Sequence, residues 1–188
     1  MTARDHIHGH DAARVGAGVH AFDSLRWRPR LTVAKFHGED LTVDPYEIVE
    51  VEGNLLTTAG LTRITSLILG AGGQAATATA ARIGVGNSST AAAVGQTDLQ
   101  AAAGAANRQF KVMDATYPQS SAGVMTFRST FGTTEANFTW AEWCIDIGAP
   151  TVTDGTTVNA TMLNRAVQAL GTKTSAGTWV ATATITLS

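Results

Sequence analysis

The sequence predicts a mainly β protein: an antiparallel β-sandwich with one packed α-helix and an extended N-terminal arm. Three observations carry this reading. Apolar and polar residues alternate in several short segments, most cleanly in "GTWVATATITLS", as expected for half-buried strands. Gly-rich turns separate these segments. One segment alone has the three-and-four apolar spacing of a helix, while residues 1–30 show little periodicity of either kind. The domain division that follows is an arm over residues 1–30 and a sandwich over 31–188.

The elements can be taken in order. In "RLTVAKFHG", Leu31 and Val33 alternate with Thr32 and Ala34, and the apolar phase then shifts to Phe36. In "PYEIVEVEG", Glu47, Val49 and Val51 alternate with Tyr46, Ile48 and Glu50, and Pro45, which lacks an N–H, belongs at a strand start or edge. A helix is expected near 57–69, with Leu61, Ile64, Leu67 and Ile68 forming one apolar stripe. Asn54, Thr57 and Thr58 are candidate N-caps, and Gly70, Gly72 and Gly73 end the helix. Gly60 lowers helix stability by about 1 kcal/mol relative to Ala, which favours a helix start close to it. "ARIGVG" and "QFKVMD" read as strands, with loop-like small residues between them. "GVMTFRSTFG" places Met125, Phe127, Ser129 and Phe131 on one face. "NFTWAEWCIDIG" sets Ala141, Trp143, Ile145 and Ile147 opposite Trp140, Glu142, Cys144 and Asp146. The Asp154-Gly155 pair marks a turn, "TMLNRAVQALG" is a further strand, and the final strand sets Trp179, Ala181, Ala183, Ile185 and Leu187 against a Thr-rich face. Many strands with one helix fit a sandwich.

Composition narrows the classes. The chain has 188 residues and a formal net charge of −2, with charged residues at only 15%. Neither nucleic acid nor an anionic membrane is therefore expected as a partner on global charge, and so sparse a surface charge suggests coverage by another protein. A lone cysteine, Cys144, rules out an internal disulfide; its apolar neighbours suit a buried thiol. No apolar run is long enough for a membrane helix, and "MTARDHIHGH" lacks the apolar centre of a secretory signal. A soluble protein made in a reducing compartment is expected. Charge is also divided along the chain: basic residues lead in residues 1–36, while residues 37–52 carry six carboxylates and no Lys or Arg.

Four stretches invite a chemical reading. "IGVGNSST" resembles a phosphate loop, but Gly84 and Gly86 are followed by Ser89 where a third glycine would stand, and no Lys occurs between Lys35 and Lys111. A dinucleotide fingerprint and a P-loop both need what is missing. The better reading is close backbone approach or positive φ at the glycines, with Asn87, Ser88, Ser89 and Thr90 forming a turn. His6, His8 and His10 alternate and share one face of an extended arm, but a segment without a core cannot supply the rigid surroundings a catalytic zinc needs. They are expected instead to be solvated or to contact a partner, a contact that their titration would make pH-sensitive. Arg26, Arg28 and Arg30 flank Trp27 and project to one side, which suits an acidic protein surface or, alternatively, a nucleic-acid strand. Glu142 could pair with Glu135 or Asp146 in the manner of a glycosidase, yet Arg128 and Arg165 are at hand to neutralise them, and a structural salt bridge is the favoured reading. No catalytic, cofactor-binding or metal-binding residue is assigned, and the protein is not expected to be an enzyme. The residues assigned to partner binding are Arg26, Trp27, Arg28, Arg30, His6, His8 and His10.

Several stretches taken together resemble a family of tailed-bacteriophage virion proteins described as capsid-decorating or tail-fibre-like. They are "EGNLLTTAGLTRITSLILG", the Gly84–Asp98 segment, "MDATYPQ", "FRSTFGTTEANFTWAEW", "LNRAVQALGTKTSAGTW" and the terminal "TITLS". They cover roughly residues 50–188 in order, and none is a catalytic signature. The resemblance implies a structural role in a virion assembled in the host cytoplasm, with the major capsid protein or other virion proteins as partners. No heptads, triplets or stalk repeats are present, so capsid decoration through the arm is expected ahead of a tail-fibre, tail-tip or head–tail joining role. A carbohydrate-binding module with an exposed Trp140 or Trp27 is a third reading. Self-association, as a trimer for example, fits a symmetric lattice position.

Overall fold

A computed structural model describes residues 26–148, 154–156 and 161–188. Ten strands and one helix follow in the order β1 (Trp27–His37), β2 (Glu47–Glu52), β3 (Leu55–Leu56), α1 (Thr58–Ile68), β4 (Ala81–Gly86), β5 (Arg108–Val112), β6 (Gln119–Ser121), β7 (Val124–Phe131), β8 (Thr139–Ile147), β9 (Thr161–Thr172) and β10 (Gly177–Leu187). They form two five-stranded sheets, β2-β1-β10-β7-β6 and β3-β9-β8-β4-β5. Every strand pair in both is antiparallel. The fold is a β-sandwich with, among the described residues, a single short helix.

Alternation places the core. Leu31 and Val33 of β1, Phe127 and Phe131 of β7, and Trp179, Ala181, Ala183 and Ile185 of β10 line the inner face of the first sheet. They meet Ile83 and Val85 of β4, Trp143, Ile145 and Ile147 of β8, and Leu163 of β9. Trp140 packs edge-on against Phe131 and Trp179, with ring centroids at 4.8 and 4.9 Å, a geometry worth about 1 kcal/mol beyond area burial.

Four differences from the sequence reading have physical causes. First, residues 27–30 belong to the body. β1 begins at Trp27, pairs with β10 along its whole length, and buries Pro29; the sandwich therefore starts before residue 31. Second, the alternation of β1 does not shift at Phe36. Lys35 takes the inner position, 3% exposed, with its Nζ 4.4 Å from the Trp179 ring and 3.0 Å from Glu47. An aliphatic stem with a paired head can fill an apolar position, and Phe36 is buried on the other side. Third, the register of β8 against β9 breaks between Trp140 and Glu142. Two steps of β8 there span four of β9, from Gly171 to Val167, and across this irregularity Trp140 enters the core although it has the same parity as the outward Glu142.

The fourth difference concerns α1. Thr57 is its N-cap, accepting from Gly60 N at 2.9 Å and donating to Met162 O at 2.5 Å. Gly60 lies inside the helix because a Cβ there would collide with the Leu163 backbone; the glycine sets how closely helix and strand approach. That close seat turns the apolar stripe outward. Ile64 packs on the core, but Leu61 is 51% exposed and Ile68 77% exposed.

Candidate functional site

The Gly84–Asp98 segment begins in β4, not in a loop. Gly84 and Gly86 alternate with Ile83 and Val85 and face away from the core. A Cβ at Gly84 would sit 2.5 Å from the Phe110 ring, and one at Gly86 would sit 2.5 Å from Glu142 Oε1. Neither has positive φ among the described residues, so close approach is what they provide. Ser88 Oγ accepts from Thr90 N at 3.1 Å, which is the expected turn. The chain beyond it lies across the outer face of the second sheet.

Buried charges pin it there. Glu142 and Arg165 are fully buried and paired at 2.6 Å. Glu142 also accepts from Gln100 N at 3.0 Å and Ala101 N at 2.7 Å. Arg165 donates to Thr90 O at 2.8 Å and Gln96 Oε1 at 2.9 Å. Arg108 reaches Asp98 and Leu99 O, both at 3.0 Å. A small second core of Leu99, Phe110, Cys144 and Met162 lies beneath. The arrangement closes one sheet face.

Glu142 and Asp146 therefore occupy structural roles. Asp146 accepts from Arg82, including Nε at 3.0 Å. Arg165 serves Glu142 as expected, whereas Arg128 pairs with Asp114 at 3.2 Å. Glu135 accepts from Lys111 at 2.5 Å and from Gly132 N at 2.8 Å. The Cys144 thiol between these carboxylates is pushed well above its ordinary pKa, first by burial and then by Asp146, Glu142 and Asp98. A thiol so held is a weak nucleophile.

Of the residues assigned to partner binding, His6, His8 and His10 lie outside the described residues. Arg26 pairs its main chain with Ser188, N to O at 2.7 Å. Arg28 and Arg30 share the outer face of β1, opposite Thr186 and Thr184. With Trp27, Pro29, Glu52 and Gly53 they border a groove of about 500 Å³. Arg30 is engaged by Glu52 at 2.6 Å and Glu50 at 3.9 Å. Trp27 is half-buried and donates Nε1–H to Asn54 Oδ1 at 2.8 Å. Trp140 is fully buried and donates to Ala136 O; it cannot serve the carbohydrate-binding reading.

The alternation rules did not find the surface that stands out most. The exposed large hydrophobic residues among those described fall in two groups: Leu41, Val43, Tyr46 and Ile48 around the β1–β2 connection, and Leu61, Leu67 and Ile68 of α1 with its C-cap Leu69 and Val94 beside them. Thr58 N donates to Val94 O at 2.8 Å, which joins α1 and Val94. The sole charged residue of α1, Arg63, donates to Gln74 O and Thr161 Oγ1. The signal was in the sequence as the stripe of α1, whose direction depends on Gly60. Among the described residues no helix is long and apolar enough to cross a membrane. Comparison with protein-family models, curated proteins and solved structures found no match.

Proposed function

We propose that this protein is a structural component of a tailed-phage particle, and that it decorates the capsid lattice by seating the apolar face of α1 on the major capsid protein while residues 1–25 reach a neighbouring site. The observation that carries this reading is the grouping of exposed large hydrophobics into two patches rather than a scatter. Contiguous apolar patches on soluble domains mark contact surfaces. The order of stretches resembling virion proteins over residues 50–188 supports the setting. Arg26, beside its partner Ser188, leads into β1, an inner strand flanked by β2 and β10, so an arm over the preceding residues would pull on a core strand.

Quantitative mass spectrometry of purified particles tests the location. A copy number comparable to that of the major capsid protein is expected; a few copies per particle would place the protein in the tail or at the head–tail junction instead. Co-sedimentation with undecorated capsids tests the surface. Ile68→Glu with Leu69→Glu should abolish binding without lowering Tm, since both side chains are more than three-quarters exposed, and unchanged binding would remove α1 from the interface.

A further inference from the structure

We infer that the free edge of β2 is a strand-addition site for an extended segment of another polypeptide, one that alternates basic and aliphatic residues. This goes beyond the capsid reading and does not rest on it.

The main chain supplies the first reason. β2 ends the first sheet, and Gly53 N donates to Pro29 O at 3.0 Å. The register then pairs Val51 with Leu31 and Val49 with Val33 as the hydrogen-bonded pairs. By the same parity the N–H and C=O groups of Ile48 and Glu50, and the N–H of Glu52, point away from β1. Glu52 O is already taken by Gln168 Nε2 at 2.8 Å, which closes one corner and leaves the stretch beyond it open. The other edges differ. β5 is bridged by Gly155, with Phe110 N to Gly155 O at 2.6 Å, while β3 has two residues and β6 three. Among the described residues, β2 is the longest edge without a cover.

Side chains supply the second reason and define the guest. Val49 and Val51 pack against the core yet remain half-exposed, so the core itself is open on this side. On the outer face, Ile48 is 56% exposed, and the Glu50 and Glu52 side chains are 57% and 73% exposed. Arg30 alone serves both carboxylates, and residues 37–52 contain no Lys or Arg. Residues directly opposite on paired strands share a face. A guest strand would therefore set aliphatic side chains beside Val49 and Val51 and cationic ones beside Glu50 and Glu52. The same carboxylates oppose pairing of β2 with a second β2, a common protection of edges, and so select the guest by charge.

The test uses the full chain and three labelled peptides in fluorescence anisotropy: one alternating Arg with Val, one alternating Glu with Val, and one with the Arg and Val residues in separate blocks. The alternating Arg peptide should bind, weaken with added salt, and exceed the blocked peptide by about tenfold, because only alternation satisfies main chain and both faces together. Glu50→Pro removes an outward N–H while sparing the ladder to β1, and should cost about tenfold in affinity. Glu50→Lys with Glu52→Lys reverses the preference toward the Glu peptide and serves if the proline variant fails to fold. Equal binding of alternating and blocked peptides, no binding at all, or indifference to these variants would overturn the inference and identify the carboxylates as edge protection only. The assay contains no capsid, so its failure and a failure of capsid decoration are separate outcomes.

Discussion

Gly86 faces Glu142, and Glu142 holds the chain that covers the second sheet. A methyl group at residue 86 would lie 2.5 Å from Glu142 Oε1 and 3.0 Å from Ala101 Cβ. Glu142 is fully buried and committed to Arg165 and two backbone N–H groups, so it has nowhere to retreat. Gly86→Ala is expected to destabilise the protein by about 2–4 kcal/mol, within the range for overpacking plus a disturbed buried pair, measured by urea unfolding. Gly95→Ala, where no atom lies within 4 Å of the added methyl, is the matched control and should change stability little. A second residue carries a pH signature. Lys173 is 1% exposed and donates to Gly132 O at 2.6 Å and Asn137 Oδ1 at 3.0 Å. Burial lowers its pKa to about 8 from an ordinary 10.5, opposed by Glu135. The unfolded chain then binds the proton more tightly than the folded one. Below pH 8 both states are charged and the cost of burying the ammonium is fully present; between about 8 and 10.5 it is relieved and stability rises. Lys111 is shifted upward, by its bonds to Asp154 and Glu135 against an opposing desolvation, so its contribution is lost only above the ordinary lysine value. Denaturant midpoints should therefore climb across that window in the native protein and lose this climb in Lys173→Met.

The covering segment over residues 87–101 behaves as an element although it has almost no regular structure. Its order comes from four anchors: Thr90, Gln96, Gln100 and Ala101 all meet the Glu142–Arg165 pair. Removing one partner of a buried pair leaves the other uncompensated. Glu142→Ala should cost about 3–5 kcal/mol by that principle, and limited proteolysis should then cut first within 87–101. Unchanged cleavage sites would mean that the segment is held by other contacts. None of this was legible in the sequence, because the anchors join residues more than forty positions apart and no period marks them. What was legible followed from local rules. The alternation of β7 and β10 gave their faces correctly, and Thr57 and the glycines after Leu69 bracket α1 as expected. Local rules failed where tertiary contact decided. Lys35 read as polar because its inward stem and paired head depend on Trp179 and Glu47. Trp140 read as outward because nothing in the local sequence signals the bulge. The stripe of α1 read as core-facing because Gly60's contact with Leu163 lies a hundred residues away in the chain.

At the scale of the whole molecule the two sheets are dressed differently. The second sheet carries a strapped layer over a small second core. The first leaves threonines of β10 and β7 outward, with Thr182, Thr184 and Thr186 half-buried at most. Exposed large apolar side chains gather at the C-terminal end of α1 and around the β1–β2 connection. The pairing of β1 with β10, unbroken from Trp27–Leu187 to His37–Gly177, has a mechanical consequence. Arg26 and Gly177 lie at opposite ends of that ladder, so tension between them would run lengthwise along it. The hydrogen bonds between β1 and β10 would then bear the load together, in shear, instead of opening singly. A strand loaded this way yields as a block. Single-molecule pulling between residues 26 and 177 should accordingly require much larger forces than pulling between residues 26 and 188, which lie side by side and peel apart like a zip.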